Sequence, residues 1–176
     1  NGSECKCYIT ADDKLLFMND GVNGSSNTTT RVLRDTNSWY HLVWRHKADE
    51  ASNDDRWKIY LNGELIPASE YGSPTLLNAD GSGQRYTSLD NWIGENARNQ
   101  QGSGIYPFYG CMSHIHLCDG YAYDASDFGE TDSTTGEWKI KTEPNVSYGT
   151  YGYFIAKDGN SGTDPSPNTN TTKDDT

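Results

Sequence analysis

Apolar and polar residues alternate in short runs along most of the chain, and no segment sustains the three-to-four-residue spacing of an amphipathic helix. Two-residue alternation predicts strands whose successive side chains point to opposite faces. Residues 7–10 and 14–18 flank the turn formers Asp12 and Asp13 and read as a hairpin. A polar Gly/Asn/Ser/Thr loop is expected over residues 19–29, then a short strand from Thr30 to Arg34. Trp39 to His46 is expected to be a strong strand. It would place Tyr40, Leu42 and Trp44 on one face and His41, Val43 and Arg45 on the other, with both faces at least half covered.

The clearest local pattern runs from Arg56 to Ile66, where Trp57, Ile59 and Leu61 alternate with Arg56, Lys58 and Tyr60. The run meets Asn62-Gly63, a pair that tolerates the positive φ angles of a two-residue type I′ turn, so Glu64 to Ile66 must fold back as a second strand. Residues 67–90 and Asn96 to Gly104 read as long polar loops, separated by a short strand at Asn91 to Gly94. A long strand is expected from Tyr106 to Asp119, then shorter ones at Glu137 to Ile140 and Gly152 to Ala156. In the long strand, Phe108, Met112, His114 and His116 would share one side, with Tyr109, Ser113, Ile115 and Leu117 opposite. Residues 157–176 hold no large apolar group and read as a polar linker or tail, which leaves residues 1–156 as one domain.

Composition agrees with an all-β antiparallel sandwich: 12 Tyr, 5 Trp and 18 Gly in 176 residues favour many turns and strands over a helical bundle. A net charge of −11 repels phosphate backbones and anionic membranes, which argues against nucleic acid and membrane insertion. No apolar run approaches the roughly 18 residues of a membrane span. Cys5 and Cys7 would sit about 7 Å apart on one strand face, while Cys111 and Cys118 would be about 23 Å apart if the chain between them is extended. Disulfide bonding needs Cα atoms within about 7 Å, so at most one bridge is expected and the thiols suit a reducing cytoplasm. His114, His116 and Cys118 would fall in phase on one strand face, but their spacing matches no zinc box and no metal is assigned.

Trp39-Tyr40-His41-Leu42-Val43, followed by Lys58-Ile59-Tyr60-Leu61-Asn62-Gly63-Glu64, resembles the paired central strands of laminin-G-like domains. A second block is more specific. Phe108-Tyr109-Gly110, His116-Leu117-Cys118-Asp119-Gly120, Asp127-Phe128-Gly129-Glu130-Thr131-Asp132, Thr135-Gly136-Glu137-Trp138 and Tyr148-Gly149-Thr150-Tyr151-Gly152-Tyr153-Phe154 together resemble virion proteins of bacteriophages, notably marine ones, and of large algal viruses. The resemblance spans roughly residues 7–160. It implies a concanavalin A-like, laminin-G-like jelly roll displayed on a tail, fibre or capsid surface after assembly in the host cytoplasm. Partners would be other virion proteins, further copies of the chain and host-surface glycans. Such relatives carry an extra amino-terminal strand ahead of the position of Cys7, so a neighbouring chain or another segment is expected beside Tyr8 and Ile9. The glycines of the block are expected to serve turns, with Trp138 and Phe154 packing the core.

Concanavalin A-like folds include glycoside hydrolases, which need two carboxylates about 5–5.5 Å apart for retention. The Glu-x-Asp-x-x-Glu strand of those hydrolases is absent from the sequence. Asp124, Asp127, Glu130 and Asp132 read better as turn caps, and no nucleophile elbow or phosphate loop occurs, so a non-catalytic protein is expected. The principal expectation is a virion structural module; a glycan-binding adhesin is the alternative, with a glycoside hydrolase behind both. For a sugar site the sequence nominates Tyr86, Asn96, Arg98, Asn99, Gln100 and Tyr106, a mixture of hydrogen-bonding groups and aromatic platforms. No cofactor is expected; a loop calcium ion at Asp80 or Asp90 is compatible with laminin-G-like relatives but unassigned. Asn-x-Ser/Thr triplets begin at Asn1, Asn23, Asn27, Asn145 and Asn170; Asn23, Asn27 and Asn145 are the candidate N-glycosylation acceptors within the domain.

Overall fold

The computed structural model describes residues 5–19, 25–47, 49–70, 93–94 and 108–157. Among them are ten β-strands, all paired antiparallel in small sheets, two four-residue α-helices and one three-residue 3-10 turn, so the chain is all-β. The chain divides into two compact units, Asn1–Arg85 with Ala122–Val146 and Tyr86–Tyr121 with Ser147–Thr176.

In the first unit, β1 (Cys5–Ile9), β2 (Lys14–Asn19) and β3 (Ser25–Val32) form one sheet in that order. The β1–β2 turn falls on Asp12 and Asp13, as the sequence predicts. Thr10 organises it, its Oγ1 accepting hydrogen bonds from the N–H groups of Asp12 (3.3 Å) and Lys14 (3.2 Å). β3 corrects the expected loop, since it starts at Ser25 and pairs Asn27 with Phe17 and Thr28 with Leu16. A polar segment can be a strand when its partner supplies the apolar face. Its ladder is interrupted: Lys14 pairs with Val32 and Leu16 with Thr28, leaving Thr29 to Arg31 opposite Leu15. The buried Thr29 hydroxyl accepts the Leu15 N–H at 3.2 Å, so the bulge leaves that donor satisfied.

The second sheet consists of β4 (Leu42–His46), β5 (Trp57–Leu61) and β6 (Glu64–Leu65). Asn62 (φ 49°) and Gly63 (φ 80°) form the connection between β5 and β6, the two positive angles of the expected type I′ turn. β4 starts at Leu42, not Trp39, because the His41 N–H is taken by Asn62 Oδ1 (2.8 Å) and Trp39 stands exposed. Arg56 likewise leaves the expected strand. It ends α1 (Asn53–Arg56), with its Nε donating to the Glu50 carbonyl at 2.6 Å.

Leu15 and Phe17 of β2 join Trp57 and Ile59 of β5, and Ile66, in one apolar cluster, with Cys7, Leu42, Trp44 and Leu61 packed against it. Phe17 meets Trp44 edge-on at 5.4 Å, and Trp44 meets Trp57 at 4.5 Å. Arg31 of β3 ties the two sheets at their margin. Its guanidinium grips Glu70 of the 3-10 turn Ala68–Glu70 through Nε (2.7 Å) and Nη2 (3.1 Å), and reaches Glu64 of β6 at 3.0 Å. Beyond β6 in sequence, α2 (Ala125–Phe128) leads into a hairpin of β8 (Gly129–Thr131) and β9 (Trp138–Ile140). β8 falls in a stretch that reads as turn, because Gly129-Glu130-Thr131 carries no apolar alternation.

The second unit contains β7 (Ile115–Leu117) paired with β10 (Tyr153–Ile155). Of the long strand expected from Tyr106 to Asp119, the described residues 108–119 form a strand only at Ile115–Leu117, so Phe108, Tyr109 and Met112 are not on a strand face. His114 turns into the left-handed region (φ 52°), and Ser113 Oγ holds both His114 Nδ1 (2.7 Å) and the Ala156 carbonyl (3.1 Å). Ile93 and Gly94 lie in a bend instead of the expected strand; Asn91 and Trp92 lie outside the described residues. Cys7, Cys111 and Cys118 carry no disulfide, so two bridges do not form.

Candidate functional site

Tyr86, Asn96, Arg98, Asn99, Gln100 and Tyr106 lie outside the described residues, as do Asp80, Asp90 and Asn23. Asn27 sits in β3 opposite Phe17, while Asn145 is exposed in a segment without regular structure. His114, His116 and Cys118 no longer share one strand face, because the strand breaks at His114. Among the described residues no group of three His, Cys, Asp or Glu is placed to hold a metal ion.

The described polar chemistry concentrates on the face of β4 and β5 opposite the apolar cluster. Val43 pairs with Tyr60 and Arg45 with Lys58. Strand alternation therefore sends Val43, Arg45 and Tyr60 away from Trp44, Trp57 and Ile59. Arg45 is 9% exposed. Its Nη1 lies 3.2 Å from Asp124 Oδ1 and its Nη2 3.6 Å from Glu50 Oε1, while its Nε has no hydrogen-bond partner among the described residues. Tyr60 donates its hydroxyl to the same Asp124 oxygen at 2.6 Å. Burial, reinforced by that carboxylate, pushes the Tyr60 phenol up to about 12. Lys47 Nζ closes on Glu50 Oε1 at 2.6 Å. This network pairs acids with bases and holds its phenol protonated. It fixes Asp124, and hence the start of α2, over the sheet. Alternation places Arg45 on the face opposite Leu42 and Trp44, one expected to be at least half covered, but its partner lies 79 residues away and carries no local signal.

Neighbouring acids are similarly committed. Asp127 Oδ2 accepts the Asp124 N–H at 2.8 Å, capping the first turn of α2. Asp132 Oδ1 accepts the N–H groups of Thr134 (2.8 Å) and Thr135 (3.1 Å), which hold its carboxyl below the usual range. Glu130 pairs with Lys139 at 3.2 Å. The turn-cap expectation thus matches the geometry at Asp127 and Asp132.

A second feature of the same face is a clasp. Trp138 of β9 lies across both Gly63 and Gly129; a Cβ at either glycine would overlap the indole. The indole Nε1–H donates to His41 Nδ1 at 2.9 Å, and the two rings stack with centroids 5.9 Å apart. Asn62 doubles the attachment, its N–H donating to the His41 carbonyl at 2.8 Å while its Oδ1 accepts the His41 N–H. Trp138 is therefore a half-buried bracket and not the core residue that the sequence suggested.

In the second unit, Phe154 stacks on His116 (4.0 Å) and His116 Nδ1 meets the Tyr148 hydroxyl at 2.9 Å. Two turns interlock beside this stack. Asp119 donates its N–H to the Tyr148 carbonyl (3.0 Å), and its Oδ2 accepts the Tyr151 N–H (3.3 Å). Gly149 (φ 70°) is needed there, since a Cβ would strike the Asp119 carbonyl. Tyr121 and Tyr151, 49% and 59% exposed, project from these turns, and Tyr109 is 92% exposed. Such rings offer stacking faces that the sequence reading did not nominate, because exposure of a tyrosine on a turn is not written in its neighbours.

No protein-family model, curated protein or solved structure matches this chain.

Proposed function

We propose that this protein is a non-catalytic module of a virion surface, a fibre, tail or capsid decoration unit built as a concanavalin A-like, laminin-G-like jelly roll. The observation that carries this reading is how the residues of the virion-like sequence block are used: they build the fold. Gly120, Gly136 and Gly149 take positive φ, Gly129 lies beneath Trp138, Phe154 packs on His116, and Asp127 and Asp132 cap turns. Two antiparallel sheets sharing one apolar cluster support the sandwich. Its partners would be other virion proteins and further copies of itself, with nucleic acid disfavoured by the net charge of −11. The test is to locate the chain in purified particles by antibody labelling and electron microscopy. A regular capsid, shaft or fibre position is expected; absence from particles, or turnover of a polysaccharide by the isolated protein, would overturn the proposal.

A glycan-binding adhesin is the second reading, favoured by the exposed Tyr121 and Tyr151 around Asp119. Tyrosine rings stack on the C–H faces of neutral sugars while a carboxylate accepts their hydroxyls. A glycan array on the wild type and on Tyr151→Ala separates the readings. Binding lost in the variant supports adhesion, and an empty array at millimolar sugar leaves the structural role alone.

A further inference from the structure

We propose that His41 and Trp138 form a proton-sensitive latch that holds the β8–β9 hairpin on the β5–β6 turn and releases it on acidification. An indole Nε1 only donates, so the 2.9 Å contact requires His41 Nδ1 to be an acceptor and the imidazole to be neutral, with its proton on Nε2. A second proton on the ring would set two N–H donors against each other at that distance. The contact would then open, and with it the stacking that keeps the indole over Gly63 and Gly129.

The surroundings do not compensate a charged ring. Asn62 and Gly63 of the turn are neutral, and Asn62 Oδ1 is already engaged by the His41 N–H. Of the charged side chains on the elements around the clasp, Glu64 is paired with Arg31 (3.0 Å), while Glu130 and Asp132 are paired with Lys139 (3.2 and 3.4 Å); Glu137 is exposed. Burial alone pushes His41 below its ordinary value of 6.5. The closed form therefore binds fewer protons than the open one. Between 6.5 and the lower value in the closed form, the open-to-closed ratio rises about tenfold per pH unit.

The latch rests on its own geometry and stands or falls independently of any role in a virion. It is read by nitrogen-labelled NMR of the whole chain, following the Trp138 indole N–H, assigned by its loss in Trp138→Phe, and the His41 ring from pH 7.5 to 4.5. The Trp138 signal is expected to shift with the His41 titration, at a midpoint below 6.5, and its exchange to accelerate at least tenfold beyond the intrinsic pH effect. The indole of Trp57, buried in the apolar cluster and 6.1 Å from the His46 ring, reports global unfolding; its signal can follow the His46 titration, but it should keep the exchange protection of a folded core over the same range. In His41→Gln, which keeps an acceptor but cannot titrate, the Trp138 response should vanish. A wild-type His41 midpoint at or above 6.5, or a Trp138 signal indifferent to His41 titration, overturns the latch. So does an undiminished response in folded His41→Gln.

Discussion

The β4–β5 pair is covered differently on its two faces. On one, Trp44, Trp57 and Ile59 meet β2 through undirected apolar contact. On the other, His41, Arg45 and Tyr60 meet residues 122–146 through directed bonds to Trp138 and Asp124. Apolar burial scales with area and tolerates any partner of the right volume. The polar face requires particular atoms at particular positions, and a misplaced partner leaves a buried donor unsatisfied. The first face supplies most of the stabilisation, and the second selects which segment may lie upon it.

Substitution should separate these contributions. Ile59→Ala, at a fully buried position of the apolar face, is expected to give the largest loss, about 2–5 kcal/mol by denaturant melts. A cost below about 1 kcal/mol would mean that the cluster is not the main core.

Gly63→Val is next. Forcing a β-branched residue to φ 80° costs about 1–2 kcal/mol, and displacing Trp138 should raise the total to about 2–3 kcal/mol. In a Trp138→Ala background the same change should cost only the strain. Equal costs in both backgrounds would show that the clasp does not bear on the turn.

Asp124→Ala removes the acceptor shared by Arg45 and Tyr60 and leaves a buried guanidinium poorly matched. Because the Asp124 side chain is 49% exposed, water screens part of the effect and about 1–2 kcal/mol is expected. Adding Arg45→Met should recover part of it; a further full loss would contradict the coupling.

The smallest effect is the pH dependence, to which each face contributes one histidine. Burial lowers both His41 and His46, the latter also facing Arg56. The folded state then binds fewer protons than the unfolded chain, so stability is full above 6.5 and falls as pH drops through the window beneath it. Melts at pH 7.5, 6.0 and 5.0 should show that decline. His41→Gln should remove only its share, leaving the share from His46.

The sequence made some of this legible. The hairpins at Asp12-Asp13 and Asn62-Gly63 followed from turn chemistry and strand period, since both act within a few residues. Over the described residues 108–119 the strand is shorter than alternation predicts, because alternation says nothing about a left-handed φ at His114, where the neighbouring Ser113 hydroxyl reaches the Ala156 carbonyl across 43 residues of chain. The end of β3 overlaps the strand expected from Thr30, but its start at Ser25 lies in the expected loop, because Ser25 to Thr29 carry no apolar signal of their own. Of the nominated sugar-site residues none is among those described, and the aromatic turns at Tyr121 and Tyr151 came only from the structure.

By itself, the sequence determined the all-β class, the positions of the sharp turns and which side chains of β4 and β5 share a face, because period and turn preference are properties of adjacent residues. Only the tertiary structure decided that Asp124 answers Arg45, that Trp138 rests on two glycines and that His41 must be neutral. Those pairings span 79 and 97 residues, and a contact between distant residues exists only once the chain has folded.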